Sequence, residues 1–179
     1  MATPKRKDLP KLSRNIAIGG IDEISVNEII EIIYDINEED AKKTQKEPIK
    51  LIINSLGGEV YSGLALVDVI DNSLTPIHTI CHGSAMSMAL ILFAAGHKRL
   101  AGKYATFMYH EAGYDVEGKV IHHKQELKEV ERTDKLCDDY LISKTKLTPK
   151  LLNDVRNKRA EWYFDVKTAM KYGLVDEIL

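Results

Sequence analysis

Ser87 lies in the stretch 77–96, I-H-T-I-C-H-G-S-A-M-S-M-A-L-I-L-F-A-A-G, where alternating β-branched residues pass through Gly83 and small side chains into an unbroken apolar run. The pattern predicts a buried strand, a tight turn and a buried helix, with Ser87 where the helix begins. A hydroxyl there lies close to unpaired backbone N–H groups and the positive end of the helix dipole, which favour the negative charge developed in acyl transfer. Ser87 is therefore the candidate nucleophile. Ser84 in the same turn is its rival, and a serine that merely caps the helix is the plainer reading. A base is available in His110, which ends F-M-Y-H; the ordinary histidine pKa near 6.5 suits that role, although a lone histidine can equally be structural. Gly57-Gly58 stands between an apolar strand and a helical pattern, where backbone N–H groups can turn outward. That is an oxyanion-binding loop or a plain turn; the G-x-x-x-x-G-K-[ST] and G-x-G-x-x-G spacings of phosphate cradles are absent.

The elements that must hold these groups follow from the periodicities. Asn15 to Ile18 reads as a short strand closed by Gly19-Gly20, and Ser25-Val26-Asn27-Glu28 has the form of a capping box ahead of Val26, Ile29, Ile30 and Ile33 at helical spacing. Residues 41–48 form a charged linker. Ile49 to Ile53 is a continuous apolar strand of the kind covered on both faces. The helical pattern Leu64, Val67, Val69, Ile70 follows the two glycines, the strand-helix unit repeats at 77–95, and Leu100 to Tyr109 carries further strand pattern. Strand and helix thus alternate, which predicts a layered α/β fold. Residues 119–146 are charged and free of glycine and proline, with Val120, Leu127, Val130, Cys137 and Leu141 on a stripe near a 3.5-residue period. About 28 residues at ~1.5 Å each make a helix of roughly 42 Å, longer than a small domain can cover, so part of the stripe should meet another subunit. His122 and His123 are adjacent and do not share the face that a metal pair needs. Thr148-Pro149 starts another helix, Asp165 caps the last one and Gly173 ends it.

Composition narrows the function classes. With 179 residues the chain fits one domain, residues 15–179, preceded at 1–14 by a mobile basic tail that carries Lys5, Arg6, Lys7, Lys11 and Arg14. The formal net charge of −2 gives no basic field for nucleic acid. Cys81 and Cys137 fall in unlike settings without metal-ligand spacing, as reduced thiols in the cytoplasm do. No apolar run reaches the ~18 residues of a membrane span, and the N-terminus lacks the apolar segment of a secretion signal. A cytoplasmic protein with no membrane and no nucleic acid among its partners is expected.

Four segments, I-N-S-L-G-G, I-C-H-G-S-A-M-S-M-A, F-M-Y-H and A-M-K-Y-G-L-V-D-E-I-L, resemble in this order the proteolytic subunit of the Clp protease, the ClpP family of serine peptidases. The resemblance runs from about Ile16 to the C-terminus. It implies an α/β, crotonase-like fold of repeated strand-helix units with a long protruding handle helix at about 119–146. It also implies that Ser87, not Ser84, is the nucleophile, that His110 is the base, and that the N–H groups of Gly58 and Met88 form the oxyanion hole. Substrate peptide is implied to lie as an added strand between Glu59-Val60 and Ala112-Gly113, a mode that binds main chain and tolerates sequence. The partners implied are unfolded proteins or peptides, further copies of the chain in stacked heptameric rings that enclose a chamber, and an AAA+ unfoldase; no metal or organic cofactor is implied.

The chain departs from the family pattern in places. The family's R-D-x-x-R-D-x-F reads here R-N-K-R-A-E-W-Y-F, so counting back from Tyr172-Gly173 puts Glu161 at the third triad position and Ala160 at the arginine used across the ring interface. A glutamate can orient a histidine as an aspartate does if the backbone is set back to fit one more methylene; Asp165, or no carboxylate, are the alternatives. Leu56 and Ala89 replace a proline and a glycine. With ~14 residues ahead of the first strand, at about 3.3 Å of reach each, the family's axial-pore segment is not expected. The expected function is that of a serine endopeptidase acting inside a ring chamber. The alternatives are a catalytically silent ring subunit of the same fold, an acyl-CoA enzyme sharing that fold, and a serine-lysine peptidase using Lys103 or Lys119.

Overall fold

The computed structural model describes residues 12–113, 117, 119–158 and 161–179. Strand and helix alternate through β1 (Asn15–Ile21), α1 (Glu23–Asp40), β2 (Ile49–Gly58), α2 (Val60–Asp71), β3 (Ile77–Met86), α3 (Met88–Ala94), β4 (Lys98–Ala101) and β5 (Thr106–Tyr109). The long helix α4 (Val120–Lys144) and α5 (Pro149–Asn157) follow, then β6 (Trp162–Asp165), α6 (Val166–Lys171) and β7 (Glu177–Ile178). β1, β2, β3, β4 and β7 lie side by side in that order, all parallel, while β5 pairs with the far half of β3 and, antiparallel, with β6. This is the mixed α/β architecture of parallel strands and crossover helices that the alternation predicts. Among the described residues no helix is long and apolar enough to cross a membrane.

The core forms where the apolar runs of β2 and β3 meet the helices. Ile49, Leu51, Ile53, Ile77 and Cys81 are fully buried in one core with Ile33 and Ile36 of α1 and Leu66 and Ile70 of α2. α3 is apolar all round and buried along its whole length, so it occupies the centre of the molecule and fixes whatever precedes its first turn.

Several local expectations are corrected. Gly83 does not end its strand in a turn: β3 runs on to Met86, keeping β2 on one edge through a register shift while its other edge passes from β4, paired through Cys81, to β5, paired from Ser84. A change of partner strand is a tertiary event, and a local glycine signal reads the same for it as for a turn. β1 likewise runs through Gly19-Gly20, with a register shift between Ile18 and Gly20. The capping box of α1 is Asp22 with Ser25 at its third position, each side chain meeting the other's backbone N–H, so Ser25 is the answering residue rather than the cap. β2 alternates between buried and exposed or half-buried positions, Lys50 facing out, so within one chain only one face of this strand is covered. Arg14, grouped with the tail, is buried against Asp40 and belongs to the fold. The helix expected at about 119–146 is observed at Val120–Lys144. The caps at Thr148 and Asp165 form as read, each accepting a backbone N–H.

Candidate active site

Ser87 connects β3 to α3, and its backbone, at φ 54 and ψ −127, is the single non-glycine residue with positive φ among those described. Such a conformation costs on the order of 1–3 kcal/mol and persists when its surroundings over-determine it. Here they do. The Ser87 N–H donates to the Met108 carbonyl of β5 at 2.9 Å, its own carbonyl accepts from Leu90 at 2.9 Å, and the helix that follows is packed on every side. The kink lifts the hydroxyl toward the end of β5, where His110 Nε2 lies 2.7 Å from Ser87 Oγ. With that nitrogen unprotonated the serine hydroxyl donates to it, which is the nucleophile-to-base contact of acyl transfer. Ser84 sits elsewhere, its hydroxyl against Asn54 Oδ1 at 3.3 Å and the Ser55 carbonyl at 3.4 Å.

The antiparallel register of β5 and β6 pairs Tyr109 with Trp162. Continued by one residue, it sets Glu161 opposite His110. Glu161 Oε1 lies 4.0 Å from His110 Nδ1, outside hydrogen-bond distance, and Oε2 accepts a 2.7 Å bond from the Tyr163 hydroxyl. The Glu161 side chain is 55% exposed, so water screens its field at the imidazole. Asp165 is not brought to the histidine: it pairs with Thr106 across the strands and caps α6 through the Thr168 N–H, a bond that lowers its pKa. Ala160 lies outside the described residues.

The glycine pair packs tightly behind the serine. Gly57 has φ 112, and a Cβ there would stand 2.8 Å from Ser87 Cβ and 3.3 Å from the Met88 nitrogen. Its lack of a side chain keeps open the space in front of that amide. Gly58, at φ 150, lies so close to β1 that a Cβ would overlap the Ile21 carbonyl. The loop is braced by Ser55, whose hydroxyl accepts the Gly57 N–H at 3.1 Å, and by Asn54, whose Oδ1 accepts the Ser84 N–H at 3.2 Å. Of the two segments expected to flank a substrate strand, Glu59 gives its N–H to the Ile21 carbonyl at 2.8 Å and Ala112 gives its own to Asp134 at 3.1 Å. Those two amides are already used. Val60 lines a cavity of about 40 Å³ beside Ser87, Met88 and His110, and Ala112 and Gly113 line a larger groove of about 610 Å³ that reaches Glu161.

Behind the cavity, the Tyr109 hydroxyl donates to Asp138 at 2.7 Å and Arg156 pairs with the same carboxylate at 2.8 Å. Burial raises the pKa of Asp134, Asp138 and Tyr109, and pushes the Cys137 thiol up to about 11, so Cys137 stays a thiol near neutral pH and is no rival nucleophile. His122 and His123 lie on the exposed start of α4, and Lys103 stacks over the Tyr104 ring at 5.3 Å. Among the described residues no group of three or more His, Cys, Asp or Glu could hold a metal ion. No local sequence pattern marks Asn54 and Ser55, whose bracing is tertiary, or Tyr163, which the two-residue period of a strand sets on the same side as Glu161.

Comparison with known proteins covers most of the chain. The sequence pattern of the family described as Clp protease matches residues 9–179. A curated protein of Deinococcus radiodurans, the ATP-dependent Clp protease proteolytic subunit, is 34% identical over 143 residues, which cover 78% of this chain and 68% of that protein.

Proposed function

Starting from a chain that belongs to the Clp protease family and is a ClpP-like peptidase, we propose a serine endopeptidase in which Ser87 attacks a peptide carbonyl and His110 takes and returns the proton. Glu161 holds the imidazole in its working tautomer. The N–H groups of Gly58 and Met88 receive the oxyanion, and the open space in front of Gly57 leaves room for it. The 4.0 Å gap to Glu161 is of the kind that closes in a substrate complex, because contacts of a resting site are often long. Substrate lies as an added strand between Glu59-Val60 and Ala112-Gly113, anchored through main-chain groups other than the Glu59 and Ala112 amides.

Residues 15–179, with Arg14 fastened to them, act as one peptidase domain. Copies of it form stacked rings, joined through α4, that enclose the sites, and an ATP-driven unfoldase supplies unfolded chains; the name of the Deinococcus relative describes that protein as the proteolytic subunit of an ATP-dependent protease. The unpaired thiols of Cys81 and Cys137 suit a reducing cytoplasm. The observation that carries this reading is the 2.7 Å contact between His110 and a serine held in a strained conformation.

The test is incubation of the assembled protein with a fluorogenic peptide and a fluorophosphonate probe. Labelling should fall on Ser87, and Ser87→Ala should remove on the order of 10⁶ in rate, as in triads elsewhere. An assembled ring that neither labels nor cleaves would instead be the silent structural subunit, a reading that the distant, half-exposed Glu161 favours.

A further inference from the structure

A glutamate that serves a histidine faces a difficulty that an aspartate does not. Its longer side chain has an additional torsion, and a half-exposed carboxylate at the end of it has solvent-facing rotamers open to it. Something has to select the rotamer that faces the ring.

Tyr163 is placed to do so. It stands two residues after Glu161 and pairs with Met108 in the antiparallel ladder between β5 and β6, on the same side of the strand as Glu161. Its hydroxyl donates to Oε2 at 2.7 Å, leaving Oε1 as the oxygen nearer His110 Nδ1. The flanking residues Trp162 and Phe164 turn to the other side, where their rings stack with centroids 4.4 Å apart and hold the strand in register. The carboxylate beside the phenol raises the Tyr163 pKa, so the hydroxyl keeps its proton and goes on donating across the working pH range.

We propose that Tyr163 is a positioning residue of the peptidase site: by fixing one oxygen of Glu161 it keeps the other on the side of His110. This rests on the reading of Ser87, His110 and Glu161 given above. Glutamate and tyrosine act as a pair, the hydroxyl supplying the restraint that the longer acid lacks. Tyr163 does not touch the serine or the bond to be broken, so its effect belongs in turnover and not in substrate affinity.

The test uses the assembled full chain as wild type, Tyr163→Phe, Glu161→Ala, the double variant and Ser87→Ala, with fluorogenic-peptide kinetics and the rate of fluorophosphonate labelling as readouts. Tyr163→Phe keeps the ring and its packing. It should lower kcat about five- to tenfold, the worth of one hydrogen bond, with KM unchanged and labelling slowed in step. In the Glu161→Ala background the same substitution should change nothing, because the carboxylate it restrains is gone. A Tyr163→Phe enzyme as fast as wild type or faster overturns the inference. So does an equal loss in both backgrounds, which would assign Tyr163 to packing, and so does a Glu161→Ala enzyme of full activity. Each of those results leaves the peptidase reading standing if Ser87→Ala is inactive. Undiminished hydrolysis by Ser87→Ala, or a wild type that neither labels nor cleaves, brings down that reading and this one together.

Discussion

Gly57 is the residue on which the proposed nucleophile and the proposed oxyanion space both depend. A methyl group there meets Ser87 Cβ at 2.8 Å, the Met86 carbonyl at 3.0 Å and the Met88 nitrogen at 3.3 Å, and the backbone sits at φ 112, where side chains are strained. The neighbours cannot yield cheaply: two of those atoms are backbone, and the third belongs to a serine held in its own strained conformation. Gly57→Ala should therefore lower the rate of peptide hydrolysis by about 10²–10³, the loss that follows removal of one oxyanion donor, and lower the thermal midpoint as well. Gly19→Ala is the control, since a Cβ there finds only the Asn54 carbonyl, at 3.9 Å. Hydrolysis by Gly57→Ala at the wild-type rate would mean that the space before the Met88 amide has no part in the reaction.

The elements divide by how local their signals are. The caps at Thr148 and Asp165, the buried run of α3 and the length of α4 are legible in the sequence because each is set by neighbours along the chain. The passage of one edge of β3 from β4 to β5 at Gly83, and the brace that Asn54 lends to Ser84, depend on strands that the sequence keeps far apart. The same division runs through the candidate site. Ser87 and His110 stand out by type and motif, whereas the hold of Tyr163 on Glu161 is a choice of rotamer, invisible until the strand is built. α4 carries its own consequence. Its second half is tied down by buried Leu141 and by Asp71, which accepts from both Tyr140 and Lys144, while Val120, Ile121 and Leu127 near its start are exposed. Large apolar side chains left open on a helix end call for a partner surface, and each regains about 1.5–3 kcal/mol if fully covered. On the proposed assembly of stacked rings joined through α4, Ile121→Glu with Leu127→Glu should shift the sedimentation from stacked to single rings and leave the far-ultraviolet circular dichroism unchanged. Unaltered sedimentation would remove α4 from the contact between rings.

At the scale of the whole molecule, the start of the fold is fastened by one buried ion pair. Asp40 ends α1, where the helix dipole opposes a negative charge, and it is fully buried. Arg14 grips it with two hydrogen bonds of 2.8 and 2.7 Å and also donates to the Glu47 carbonyl, while Lys43 and Thr75 donate to the same carboxylate. The opening of β1, the end of α1 and the approach to β2 are joined at this point, and β1 in turn offers the Ile21 carbonyl that holds Glu59 beside the glycine pair. The Arg14 guanidinium, chiefly through its hydrogen bonds, keeps the Asp40 carboxyl well below the usual carboxylate range. A carboxyl depressed in this way contributes stability that is fully present above its unfolded pKa of about 3.9 and lost as pH falls below that value toward the folded one. Arg14→Ala leaves the carboxylate buried with fewer partners and should cost about 3–5 kcal/mol at pH 7, read as a lower urea midpoint. With the guanidinium gone the Asp40 pKa rises, so acid relieves part of the penalty: the gap between variant and wild type should narrow as pH is taken from 7 to about 3.5. Adding Asp40→Asn to Arg14→Ala should recover part of the loss at pH 7 and flatten the difference across pH. A gap of constant size from neutral to acid would show that Arg14 matters through its packed stem, and the charge pair would no longer explain how the fold's first strand is anchored.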